Sequence, residues 1–120
     1  MKAKRILLVD DSPIIQAAAN FSLEQAGYDC EMRATFNELM EKPLDDFDLI
    51  LMDVQMPELY GDDVAMVLRD RGVKTPIYLF STLPDADLAE RVKSSGVDGF
   101  ISKSKGMEHL IERVAEIFGT

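Results

Sequence analysis

Cysteine occurs once in these 120 residues, as Cys30. No intramolecular disulfide can therefore form, and a reducing cytoplasm is the expected compartment. Cys30 itself reads as a small, buried, apolar side chain. Long apolar runs are missing too. Ile6–Val9 and Leu49–Met52, among the longest, hold four residues each, far short of the roughly 20 that span a bilayer. The N-terminus, Met1-Lys2-Ala3-Lys4-Arg5, is basic, but the apolar run after it stops at two aspartates, too soon for a secretory signal. Positive charge is scarce, with 13 lysines and arginines against 22 acids and a net charge of −9. Such a surface repels phosphate backbones and anionic lipids, which argues against nucleic-acid or membrane binding and for protein partners or small cations. The single histidine, His109, lies on an apolar helix pattern and reads as a helix-side residue, not a catalytic or metal-binding one. Repeats, low-complexity tracts and linkers are absent as well. The expectation is one domain over residues 1–120, with no effector domain.

What the chain does contain is an alternation of short apolar runs with longer amphipathic stretches. Arg5–Val9 and Asp48–Met52 are continuously apolar after their first residue, the mark of strands buried on both faces. Tyr28–Arg33, Ile77–Phe80 and Gly99–Ser102 read as the other strands. A helix is predicted from Ser12 (N-cap) and Pro13 to Gly27. A short one follows from the capping box Thr35-Phe36-Asn37-Glu38 to Lys42. A third runs between Gly61 and Gly72 on a face of Val64, Val67 and Leu68. The fourth, Pro84–Gly96, is anchored by Leu88 and Val92, and the last by Leu110, Ile111, Val114 and Ile117. Five strand–helix pairs predict an α/β fold, a parallel sheet with helices on both faces. Met52, Met56 and Met66 are expected as core or near-core filling, and Asp45-Asp46 and Asp62-Asp63 as solvated edges.

Polar residues follow directly on four of the predicted strands: Asp10-Asp11 on the first, Asp53 on the third, Ser81 on the fourth and Lys103 on the fifth. In a parallel sheet these ends share one edge, where ligands of open α/β sheets bind. Two carboxylates about 4 Å apart repel by roughly 4 kcal/mol at an effective dielectric near 20. Lys103 cannot neutralise three of them. A hard divalent cation can, and an all-oxygen ligand set favours Mg²⁺. The parts fit phosphoryl transfer: Asp53 as nucleophile, Mg²⁺ neutralising charge, Lys103 and the Ser81 hydroxyl on phosphoryl oxygens. Competing readings stay open. Asp10 and Asp11 could cap the first helix, Asp53 could be a turn residue, and Lys105 competes with Lys103.

The segments Ile6–Ser12 and Leu49–Pro57, the latter with Asp53-x-x-Met56-Pro57, resemble the first strand and the phospho-acceptor segment of the response-regulator receiver family. Gly61, Ser81 and Lys103 stand at the matching glycine, hydroxyl and lysine positions. The resemblance covers the whole chain and is nearest to the stand-alone, chemotaxis-regulator kind. It implies a doubly wound, flavodoxin-like five-stranded sheet of order 2-1-3-4-5 with five helices. It also implies Gln55 as a further Mg²⁺ ligand through its backbone carbonyl, and a histidine kinase or histidine phosphotransfer protein as donor. The protein would catalyse only its own phosphorylation and dephosphorylation. A switch pairing Ser81 with Phe100 would pass the signal to a downstream protein through the last two helices and last strand.

Four positions depart from the family pattern. Phe100 replaces a tyrosine or histidine, and without a hydroxyl its inward state is favoured even without phosphate. Ser104 replaces a proline, so the Lys103–Ser104 bond is expected to be trans. Thr82 is larger than usual beside the hydroxyl position, and Tyr60 stands where an acid is frequent. These departures motivate an alternative, a phosphorylation-independent pseudo-receiver serving as a constitutive interaction module. A haloacid-dehalogenase-like hydrolase is disfavoured because Asp53-Val54-Gln55 lacks a second acid. A flavodoxin is disfavoured because no Ser/Thr-rich phosphate loop follows the first strand.

Overall fold

A computed structural model describes residues 3–41, 43–57 and 59–119. The chain alternates β1 (Arg5–Val9), α1 (Pro13–Gln25), β2 (Asp29–Arg33), α2 (Phe36–Met40), β3 (Leu49–Met52), α3 (Gly61–Asp70), β4 (Ile77–Ser81), α4 (Asp85–Ser95), β5 (Gly99–Ser102) and α5 (Gly106–Phe118), with a short 3₁₀ turn at Lys103–Lys105. The five strands form one sheet in the order β2-β1-β3-β4-β5, and every neighbouring pair is parallel.

The apolar strands are continuous in sequence because both faces of the sheet are covered. Leu7, Val9, Ile50, Met52, Ile77 and Leu79 face one apolar cluster, completed by α2, α3 and α4 through Leu39, Val64, Leu68 and Leu88. The alternate residues Ile6, Leu8, Leu49, Leu51, Phe80 and Ile101 face the other, completed by α1 and α5 through Leu23, Leu110 and Val114. Each large side chain withdrawn from water in this way contributes about 1.5–3 kcal/mol. The doubly wound architecture follows from that two-sided burial.

Local signals behave as their chemistry dictates. Ser12 Oγ accepts the Ile15 N–H at 3.3 Å and Pro13 opens α1. Beyond the end of α1, Gly27 takes φ +94, a left-handed value that glycine adopts without strain. Thr35 Oγ1 accepts the Glu38 N–H at 3.1 Å, while Glu38 reaches back to the Ala34 N–H at 2.7 Å, one residue earlier than a standard capping box. The predicted end of α2 at Lys42 lies outside the described residues, and the helix runs from Phe36 to Met40.

Two expectations about α3 need correction. Val67 is 37% exposed and Met66 44% exposed, so neither fills the core. At about 100° per residue, Val64, Ala65 and Leu68 share the inward arc, with Val67 at its edge and Met66 behind it. Among the described residues no helix is long and apolar enough to cross a membrane.

Candidate functional site

Where β1, β3, β4 and β5 end, their last apolar residues hand over to the polar ones at a single edge. Asp10 is fully buried, Ser81 is buried, and Asp53 is only 5% exposed. Asp10, Asp11 and Asp53 each offer a carboxylate oxygen, and the three atoms lie within 4.8 Å of one another. Among the described residues, one cation enters this cluster. Lys103 Nζ stands 2.6 Å from Asp10 Oδ2 and 3.2 Å from Asp53 Oδ1. Lys105, the competing lysine, is exposed and lies 3.9 Å from Asp85 instead.

The cluster is under-neutralised, with three carboxylates facing one ammonium. Asp10 Oδ1 accepts the Ser12 N–H at 2.9 Å, so the acid does brace the start of α1, while Ser12 does the capping. Oδ2 of the same residue is buried without a directed hydrogen bond. Its neighbour Lys103, at 2.6 Å, is a charge partner and not a directed donor. Asp53 Oδ1 accepts the Gln55 N–H at 3.3 Å and the Lys103 ammonium at 3.2 Å. Burial pushes the Asp53 carboxyl up to about 6, against the pull of Lys103 and with added repulsion from Asp10.

The turn after Asp53 has no room for a side chain at Gly61. A Cβ there would sit 1.8 Å from the Asp53 carbonyl oxygen, while the Gly61 N–H donates to Val54 O at 2.8 Å. Gln55 and Tyr60 pair as an antiparallel bridge, and Tyr60 lies exposed on the rim with Asp11, Met56 and Leu59. Ser81 Oγ accepts the Leu83 N–H at 3.1 Å, which leaves its hydrogen to donate; Thr82 beside it is exposed. Phe100 is half-buried, packed against the α4-side cluster and lining a groove with Val92, His109 and Arg113.

No cis peptide occurs among the described residues, so Lys103–Ser104 is trans. Asp45 and Asp46 are exposed, as expected of a solvated edge. Asp62 is not; it is buried and paired with Arg91. Sequence reasoning missed both members of that pair, which stand 29 residues apart on different helices with no motif to link them. Cys30 is half-buried, and its thiol is pushed up to about 12, chiefly by burial and then by Glu24, Asp29 and Glu31.

Comparison with known proteins places this geometry. The family described as the response regulator receiver domain matches residues 6–115. The gliding motility regulatory protein of Myxococcus xanthus is 32% identical over 117 residues, covering 94% of this chain and 15% of that protein. The cell cycle transcriptional regulator CtrA of Caulobacter vibrioides is 27% identical over 115 residues, covering 92% of this chain and 48% of that one. The chain thus spans about half, or less, of these curated relatives. Among solved structures, the chemotaxis protein CheY4 of Vibrio cholerae superposes with a TM-score of 0.84 at 28% identity, covering 96% of this chain and 98% of that one. The response regulator TrrA of Thermotoga maritima, solved in complex with Mg²⁺-BeF, gives 0.81 at 28% identity, covering 94% and 97%. With the family matched across nearly the whole chain and the fold shared with a chemotaxis receiver, this chain belongs to the response regulator receiver domain family, signalling switches phosphorylated on an aspartate.

Proposed function

We propose that Asp53 is the phospho-acceptor of this receiver, with Mg²⁺ held by Asp10, Asp11, Asp53 and the Gln55 backbone carbonyl. The observation that carries this reading is the charge imbalance at the sheet edge. Three carboxylates converge on one lysine, and a buried Asp10 oxygen has no directed donor. An oxygen-only donor set with excess negative charge suits a hard divalent cation. TrrA, a relative of the same fold, was solved with Mg²⁺-BeF, which supports the same chemistry here. When bound, the metal neutralises charge on the transferring phosphoryl group.

The chain's own residues then have distinct tasks. Asp53 Oδ1 is held by Gln55 and Lys103, which leaves Oδ2 to attack. Its attack on the phosphorus of a phosphohistidine forms the acyl phosphate as the P–N bond breaks, and the imidazole leaves with the bonding electron pair. Without the metal, burial raises the Asp53 carboxyl to about 6, which still leaves it largely ionised at neutral pH. Lys103 follows the charge onto a phosphoryl oxygen, and the Ser81 hydroxyl, already oriented by Leu83, donates to another. The donor is a histidine kinase or histidine phosphotransfer protein. The output is a change in protein contacts across α4, β5 and α5, where Phe100 lies between cluster and groove.

Incubation with acetyl phosphate and Mg²⁺, read by intact mass, tests the proposal. Wild type gains one phosphoryl group and Asp53→Asn gains none; an unmodified wild type, under conditions that label a known receiver, refutes it. A second reading, the phosphorylation-independent interaction module, draws on Phe100 already packing against the α4-side cluster. Amide exchange of α4 and α5 with and without beryllofluoride separates the two, and an unchanged pattern favours the second.

A further inference from the structure

Asp62 follows the glycine that abuts Asp53, and it is a largely buried acid. Arg91 of α4 meets both its oxygens, Nη1 lying 3.0 Å from Oδ1 and 3.2 Å from Oδ2. The Nε of the same arginine donates to Asp87 at 3.0 Å, and its guanidinium carbon lies over the Tyr60 ring, 5.3 Å from the centroid. One side chain on α4 therefore grips the first turn of α3 and the residue before it. A partly buried pair of this kind is poor evidence for stability, since desolvation offsets much of the attraction. Its geometry has another consequence.

From Tyr60 the phospho-acceptor is two contacts away. Tyr60 pairs with Gln55 as an antiparallel bridge, and the Gln55 N–H donates to Asp53 Oδ1 at 3.3 Å. Gly61, between Tyr60 and Asp62, donates to Val54 O at 2.8 Å. We propose that Arg91 is a positioning residue: by clamping Asp62 and Tyr60 it fixes the Gln55–Tyr60 bridge, holds Asp53 in its hydrogen-bonded orientation, and ties α4 to that orientation. The clamp rests on the proposed role of Asp53 only for its chemical readout.

The test compares wild type with Arg91→Ala, Asp62→Asn, the double variant, Arg91→Lys, and Lys93→Ala as an α4 surface control. Two quantities are read: the rate of phosphorylation by acetyl phosphate with Mg²⁺, and amide exchange at Gln55 and Gly61. Small misplacements of a reacting group cost up to about a hundredfold in rate, so Arg91→Ala and Asp62→Asn are each expected to react about tenfold slower or worse. The double variant should be no slower than the slower single one, and Lys93→Ala should match wild type. Exchange at Gln55 and Gly61 should quicken in both single variants. Arg91→Lys keeps a charge for Asp62 but loses the planar fork, so its rate should fall between.

A wild-type rate in Arg91→Ala, or unchanged exchange at those two amides, overturns the clamp. Should Arg91→Ala fail to fold, Arg91→Lys decides in the same way. If wild type itself takes no phosphoryl group, the role of Asp53 fails separately. The exchange measurement then still judges the clamp: faster exchange supports it, and unchanged exchange refutes it.

Discussion

Replacing Asp53 with asparagine should make the metal-free protein more stable while abolishing its chemistry. The folded-state carboxyl is raised from 3.8 to about 6. A carboxylate shifted upward is bound to its proton more tightly in the native state than in the unfolded one. Between those two values the native state therefore holds more protons, and stability falls as pH rises. The cost is absent below about pH 4, where both states are protonated, and complete above the folded value. At 1.36 kcal/mol per unit, the shift of roughly 2 units bounds the cost near 3 kcal/mol. Residual solvent contact screens part of it, so about 1–2 kcal/mol is the working figure.

Asparagine keeps the shape and removes the charge, and Lys103 retains Asp10 at 2.6 Å as its partner. For a domain of this size about 1 kcal/mol moves the melting temperature by roughly 4 °C. Thermal unfolding in chelator at pH 7.5 should therefore place Asp53→Asn about 4–8 °C above wild type. The gap should close as pH is lowered to about 4. Saturating Mg²⁺ should narrow it from the other side, since ligand at ten times its Kd stabilises the native state by about 1.4 kcal/mol and the variant has lost a ligand. A variant less stable than wild type at pH 7.5, or a gap that ignores pH, would refute the reasoning.

Other perturbations read the same geometry. Lys103→Ala should slow phosphorylation by about a hundredfold or more, as loss of a preorganised charge partner does elsewhere, whereas Lys105→Ala, paired only distantly with Asp85, should leave the rate unchanged. Intact mass over time checks both. Gly61→Ala would force a Cβ to within 1.8 Å of the Asp53 carbonyl oxygen; a loss above about 3 kcal/mol in a urea titration is expected, because backbone must move. Cys30, with its thiol near 12, should react with a disulfide reagent at pH 8 at least about tenfold slower than free cysteine, and at the free rate once urea unfolds the chain.

The sheet and the site were legible for one reason: strands buried on both faces must be continuously apolar, so the residue that ends each run announces itself. Asp10, Asp53, Ser81 and Lys103 were readable as an ensemble because parallel strands place those ends together. Strand order had no such signature and came only with the family resemblance. What stayed hidden depends on partners distant in sequence. Asp62 looks like any acid in the first turn of a helix, and nothing near it marks Arg91 as its partner. Val67 failed for a smaller reason, since two inward arcs fit the apolar pattern of α3 and alanine at position 65 carried too little weight to choose between them.

The fifth strand shows how a departure from the family pattern can leave the lysine in place. Proline after the lysine would remove a backbone N–H; serine keeps it, and Ser102 Oγ accepts it at 3.2 Å. That bond closes the turn at Lys103–Lys105 without a cis bond. Gly106 at φ +86 then admits the chain into α5. Upstream, pairing of Ser81 with Ser102 fixes where β5 stops relative to β4. Lys103 thus leaves the sheet at a set height, its ammonium 5.3 Å from the centre of the Phe80 ring and drawn to Asp10 and Asp53. The lysine is placed by strand register and by the charge it answers, and the turn beyond needs only to stay out of its way. Serine at position 104 is therefore compatible with Lys103 reaching both carboxylates.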